Sequence, residues 1–251
     1  MNHEINKKHV FIVLSQTHTR FGFIIRKVTG EQFNHVSIAF DENLAELYSF
    51  GRYQHKVPLV AGLIKEFPER FSLSKSSFIN VRIYKIPVSC TQYKKGKRRI
   101  RQITKDKDGY LYNLFSVISY PVIGGFSTFK AYSCAEFVAH LLRYMNILID
   151  DERPEYSFTP ENLGSSFNLF LEYEGNLLEY CSHENDSLEY YMENPNYLTA
   201  TGRSFLVLSR LIYRMLRYKI NISISWLEYQ NIRQSAVQLK ASLLHKMRLT
   251  L

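Results

Sequence analysis

Cys134 stands where a chain would place a nucleophilic thiol. The stretch Ala131 to Asn146 reads AYSCAEFVAHLLRYMN, with Ser133 followed three residues later by Glu136. That pair is a capping box, in which each side chain satisfies a backbone amide, and it predicts a helix whose first residue is Cys134. A thiol there meets the positive end of the helix macrodipole and unpaired amides, both of which favour thiolate. Tyr132 and Phe137 flank the cap as a hydrophobic staple, and Val138, Leu141, Leu142 and Met145 recur at the spacing of one buried face. The competing reading is structural: free cysteine is among the most commonly buried residue types and often acts as a small hydrophobe. Catalysis therefore requires a partner elsewhere in the chain.

The elements that would supply one begin early. Val10 to Ser15 reads as a buried strand and Arg20 to Val28 as a short helix closed by Thr29-Gly30. His35 to Phe40 alternates and is rich in β-formers, Asp41 to Asn43 supplies turn residues, and Glu46 to Phe50 reads as the returning strand of a hairpin. His35 lies near the start of that hairpin. Gly62 to Phe71 reads as helical around Pro68, Phe78 to Ile86 as a strand ending at Pro87, and Tyr110 to Tyr120 as a helix ended by Pro121. Leu169 to Tyr173 and Leu177 to Tyr180 suggest a second hairpin across Glu174-Gly175-Asn176.

Composition bounds the class. The 251 residues are 45% hydrophobic and 14% aromatic, enough to bury a sizeable core. Cys90, Cys134 and Cys181 are an odd, widely spaced set with neither metal-ligand nor disulfide spacing, so no metal and no cofactor are expected. A reduced, cytoplasmic protein fits that usage. The apolar run Val10 to Leu14 is too short for a signal-peptide core, and no run is long enough to cross a bilayer. The chain is expected to be soluble, or peripheral to a membrane at most.

Charge is uneven. From Arg203 onward nine basic residues face one acid, whereas Asp150 to Glu193 holds twelve acids and one base. The two blocks can attract each other, or the basic tail can meet an anionic partner. Tyr93 to Lys107 adds eight lysines and arginines, but without stacking aromatics or a recognised module it reads as a solvated face, and nucleic acid is an unlikely partner. After Cys181, residues 182–202 read as a polar linker or lid. Residues 203–251 read as a basic amphipathic helical extension. Its first helix has Phe205, Leu208, Ile212 and Leu216 as the apolar face. Its second runs through Trp226, Tyr229, Ile232, Ala236, Leu239, Leu243 and Met247. Packing as a hairpin on the main domain is the ordinary role; lying on an anionic membrane or docking on a protein partner is the other.

A strand carrying His-Val-Ser-Ile, a return strand ending Tyr-Ser-Phe-Gly and a much later helix opening Ser-Cys-Ala-Glu-Phe-Val together resemble the circularly permuted papain-like branch of the NlpC-type superfamily. YiiX-like and YaeF-like bacterial proteins belong to it, and lecithin:retinol acyltransferases are related. The histidine precedes the cysteine, the order of the permuted branch. The resemblance covers roughly Val10 to Tyr180, so residues 1–181 would form the hydrolase domain. It implies an α+β fold in which the cysteine helix packs on an antiparallel sheet.

It also implies Cys134 as nucleophile, His35 as base and then acid, and a polar residue on the following strand that holds the second ring nitrogen. Ser49 aligns there, although a serine is a weak orienter and Tyr48 is its neighbour on the opposite face. The Cys134 amide would supply one oxyanion donor, with Gln16 a candidate for a second. The expected activity is a thiol-protease, amidase or acyltransferase reaction on an amide or ester, through a thioester. The substrate would be peptide-like or an acyl-lipid. The alternative is a binding module that keeps the shape with little or no activity, its basic helices contacting a protein or an anionic membrane.

Overall fold

The computed structural model describes residues 8–57, 59–72, 78–148, 151–181, 191–193 and 195–219. Strand β1 (Lys8–Ser15) is followed by helix α1 (Arg20–Thr29), then by strands β2 (His35–Ala39), β3 (Leu47–Arg52) and β4 (Ala61–Glu66). Helix α2 (Glu69–Ser72), strand β5 (Asn80–Val88), helix α3 (Cys90–Thr104), strand β6 (Leu111–Tyr112) and helix α4 (Leu114–Ile123) come next. Strand β7 (Ala131–Tyr132) leads into helix α5 (Cys134–Tyr144), and helix α6 (Pro160–Ser165), strand β8 (Leu171–Asn176) and helix α7 (Leu177–Tyr180) follow. Residues 197–219 form a further helix, α8.

The fold is α+β. Six strands make one antiparallel sheet in the order β4-β3-β2-β1-β5-β8. The run Val10 to Leu14 is continuously apolar because both faces of β1 are covered. Val10, Ile12 and Leu14 join the larger core with Val36, Ile38 and the buried face of α5, while Phe11 and Val13 join a second cluster with Leu47, Val81 and Leu177. The second face is closed partly by α7. Helix α5 packs across β2 and β3, and α3 packs against α5 and β1.

Several expectations are corrected. Gly62 to Phe71 is not one helix: residues 61–66 pair along the whole of β3 as β4, and only a short turn of helix follows Pro68. Leu177 to Tyr180 is helical, because the Asn176 side chain accepts the Leu178 amide and caps a turn where a return strand was expected; β8 pairs with β5 instead. Strand β5 continues through Pro87, where β8 no longer pairs and a missing N–H breaks no outer ladder. Helix α4 begins at Leu114 and passes Pro121 to end at Gly124, whose φ of 69° makes the left-handed cap.

The early hairpin and α1 fall where the sequence puts them, and the basic stretch Tyr93 to Lys107 lies largely in helix α3. Helix α8 begins at 197, inside the segment read as linker, and only part of the expected apolar face docks: Leu208 lines a small cleft with Leu211, Leu59 and Tyr112. Leu211 is buried with Leu111 and Ala131, and Arg214 donates to the Gly109, Lys130 and Asp108 carbonyls, while Phe205, Ile212 and Leu216 are exposed. Residues 220–251, with the second amphipathic helix expected there, lie outside the described residues, as does all of 182–190. Among the described residues no helix is long and apolar enough to cross a membrane.

Candidate active site

Helix α5 starts as its sequence dictates. The Ser133 hydroxyl accepts the Glu136 amide at 3.1 Å and the Glu136 carboxylate accepts the Ser133 amide at 3.1 Å, so Cys134 is the first helical residue. Tyr132 and Phe137 both pack on Phe50, fixing the entry from β7. A further buried side chain, Asn113, donates to the Glu136 carboxylate at 3.3 Å and to the Phe126 carbonyl at 2.9 Å, locking the preceding loop to the cap. Burial pushes Glu136 up to about 8, against the Ser133 and Asn113 donors.

His35 opens β2, and its imidazole interacts with the Cys134 side chain so that each favours the charged form of the other. The Nε2 atom lies 3.0 and 3.1 Å from the two oxygens of Glu66, which leaves Nδ1 for the sulfur. Glu66 is fully enclosed. It also accepts the Ser37 hydroxyl, and the Arg70 guanidinium stands 4.0 Å away. The strand register explains the meeting: Leu47 pairs with Glu66 and Ala39 with Leu47, so Glu66 shares a sheet face with Ser37 and the His35 end of β2.

Burial alone would keep every member of this row neutral. It works against charge on His35, yet the Glu66 carboxylate and Cys134 together raise the imidazole to about 10. Burial would raise Glu66, but His35, Arg70 and the Ser37 hydroxyl hold it down at about 2. Burial would raise Cys134 too, but His35, with the Val36 and Ala135 amides, brings the thiol below its ordinary value. Each member of the row is therefore shifted toward its charged form: thiolate, imidazolium and carboxylate.

Ser49 takes no part in it. Its hydroxyl is buried with no hydrogen-bond partner among the described residues, and the group on Nε2 of His35 is Glu66, one strand further out. Gln16 follows β1, where its backbone amide donates to the Asn80 carbonyl at 2.9 Å. Tyr112 is a residue the sequence did not single out. The parallel pair β6 and β7 sets Tyr112 opposite Tyr132, two residues before Cys134, and Tyr112 lines the same cavity as the thiol. Burial and the Cys134 charge push Tyr112 well up, so it remains a donor.

Two adjoining cavities, about 150 and about 310 Å³, share Ile25, Asn34, Tyr112 and Ile118 as walls. Cys134 lines the smaller one with apolar neighbours that include Val117, Phe158 and Pro160. His35 and Glu66 line the larger. The arrangement can generate a nucleophile, pass a proton and hold a substrate on either side of the sulfur. No protein-family model, no curated protein and no solved structure matches the chain.

Proposed function

We propose that the chain is a cysteine-dependent amide or ester hydrolase or acyltransferase of the permuted papain-like, NlpC-type architecture. The observation that carries this reading is the row Cys134, His35, Glu66, in which an enclosed carboxylate holds Nε2 of the imidazole whose charge lowers the Cys134 thiol. The Cys134 thiolate attacks the substrate carbonyl carbon, and the electron pair moves to the carbonyl oxygen. The Tyr112 hydroxyl and the Cys134 amide are positioned to donate to that oxyanion. His35 then gives its proton to the departing nitrogen or oxygen, leaving a thioester on Cys134. Water or another acceptor, deprotonated by His35, attacks the thioester and releases the acyl group and the thiolate. Glu66 stays ionised throughout and keeps the ring in place.

The test is iodoacetamide labelling of each cysteine against pH, read by mass spectrometry in wild type and His35→Ala. Cys134 is expected to label well below pH 8, ahead of Cys90 and Cys181, and to lose that lead without His35. Labelling like an ordinary thiol in both proteins would remove the nucleophile from this reading.

A partner surface follows from α8. Residues 197–219 contain five basic side chains and no acid, and Tyr197, Phe205 and Leu216 stand 80%, 70% and 51% exposed beside Arg210 and Arg217. Apolar and cationic groups interleaved on a docked helix fit an anionic membrane surface, which would bring the site to its substrate.

A further inference from the structure

The larger cavity, on the His35 side of the site, carries an excess of positive charge. Its charged lining is His35, Arg52, Arg70 and Glu66. Glu66 is the one acid among them, and it is committed to His35 and the Ser37 hydroxyl, with Arg70 only within 4.0 Å. Arg70 is buried, donates to the Arg52 carbonyl, and lies 4.2 Å from the centre of the Tyr191 ring.

Arg52 forms an ion pair with no described carboxylate. It is held by neutral acceptors: Nη1 donates to the His55 carbonyl at 3.0 Å and Nη2 to the Tyr191 hydroxyl at 3.3 Å. Those bonds engage only part of the donor set of a guanidinium and none of its charge. The Arg52 charge is felt at Arg70, where it adds to the effect of burial, and at the Tyr112 hydroxyl beside Cys134. Two guanidiniums on one cavity wall repel, and the cost falls when an anion enters between them.

The position of this wall says which part of a substrate meets it. His35 hands its proton to the leaving atom, so the cavity that His35 lines accommodates the leaving group. The smaller, mostly apolar cavity at Cys134 then receives the acyl part. We propose that the larger cavity is an anion subsite in which Arg52, backed by Arg70, binds a carboxylate or phosphate on the leaving amine or alcohol. The substrate class is thus an amide or ester with an apolar acyl group and an acidic leaving group. This deepens the acyl-transfer reading and rests on it for the roles of Cys134 and His35.

Paired alkylating probes test it without a known substrate. N-iodoacetylglycine and N-iodoacetylglycinamide share a reactive carbon and differ in charge; an N-iodoacetyl aminomethylphosphonate replaces carboxylate by a phosphate-like group. The rate at Cys134 with an anionic probe is expected to saturate and to exceed that of the neutral probe by about tenfold or more. Whichever anionic probe leads identifies the oxyanion. The charged-to-neutral ratio should fall to near one in Arg52→Gln and recover in part in Arg52→Lys, and taking the ratio removes any general change in the thiol or the fold. Equal rates in wild type, or an advantage that survives Arg52→Gln, would overturn the subsite.

If Cys134 reacts with neither probe, the acyl-transfer reading is what fails. The subsite is then decided by thermal shift in Cys134→Ser protein, where millimolar glutarate or inorganic phosphate should raise the melting temperature only while Arg52 is present. No rise there would overturn it as well.

Discussion

A thiol and an imidazole buried side by side would both prefer to be neutral, since each charged form gives up hydration. Glu66 is the group that tips the balance, and its charge can be removed with its shape kept. In Glu66→Gln the imidazole loses the partner that holds it near 10, so the upper limb of the Cys134 labelling profile should move down by a unit or more. Labelling at pH 7 should slow by about tenfold. Superimposable profiles for wild type and Glu66→Gln would mean that the carboxylate does not sustain the ion pair. The same shifts set a stability window. His35 is raised from 6.5, so its contribution is complete below about 6.5 and is lost as pH rises through about 10. Glu66 is depressed from 4.5, so its contribution is present above about 4.5 and is lost as pH falls through about 2. The melting temperature should therefore peak between those limits, and Glu66→Gln should flatten both shoulders in a pH series of thermal melts.

Helix starts show how much of this site was legible in the residues and where legibility ended. Ser89-Cys90 opens α3 with the same arrangement as Ser133-Cys134, a serine cap, a cysteine at the first position and a capping partner three residues on. Local sequence alone cannot separate the two thiols, because the cap and the dipole are common to both. The difference is His35, which the hairpin motif singles out at the start of β2, and Glu66, which it does not single out. Residues 61–71 hide Glu66, because Leu63, Ile64, Phe67 and Phe71 repeat at helical spacing although the backbone is paired to β3 as far as residue 66. A pairing partner is a tertiary fact, and the register that brings Glu66 to His35 cannot be read from either strand separately. The two caps allow an internal comparison. Ser133→Ala and Ser89→Ala should each cost about 1 kcal/mol in denaturant unfolding. Only Ser133→Ala should also slow Cys134 alkylation, since its cap fixes where that thiol sits. Equal effects of both changes on Cys134 would detach the labelling rate from the geometry of α5.

At the scale of the whole molecule, both faces of the sheet are closed, and the site lies where the α5 entry, the start of β2 and the β6–β7 pair converge. The long basic tail was expected either to neutralise the acidic segment 150–193 or to face outward. In α8, Arg214 binds backbone carbonyls, and Arg203, Arg210 and Arg217 form no ion pair with any described residue. Anchoring by Arg214, Leu211 and Leu208 turns Phe205, Ile212 and Leu216 away from the body, so hydrophobic periodicity was a sound guide to the helix but only in part to the face that docks. A helix presenting that mixture should bind vesicles containing about 30% anionic lipid in co-sedimentation, with affinity falling as salt rises, and should ignore neutral vesicles. Phe205→Ser with Leu216→Ser should weaken binding at low salt by removing the inserted groups, whereas Arg210→Gln with Arg217→Gln should remove its salt dependence. The iodoacetamide profile of Cys134 should not change in either pair, because neither reaches the row of Cys134, His35 and Glu66. Binding that is equal on neutral and anionic vesicles, or that survives both pairs, would take α8 out of the role of a membrane contact.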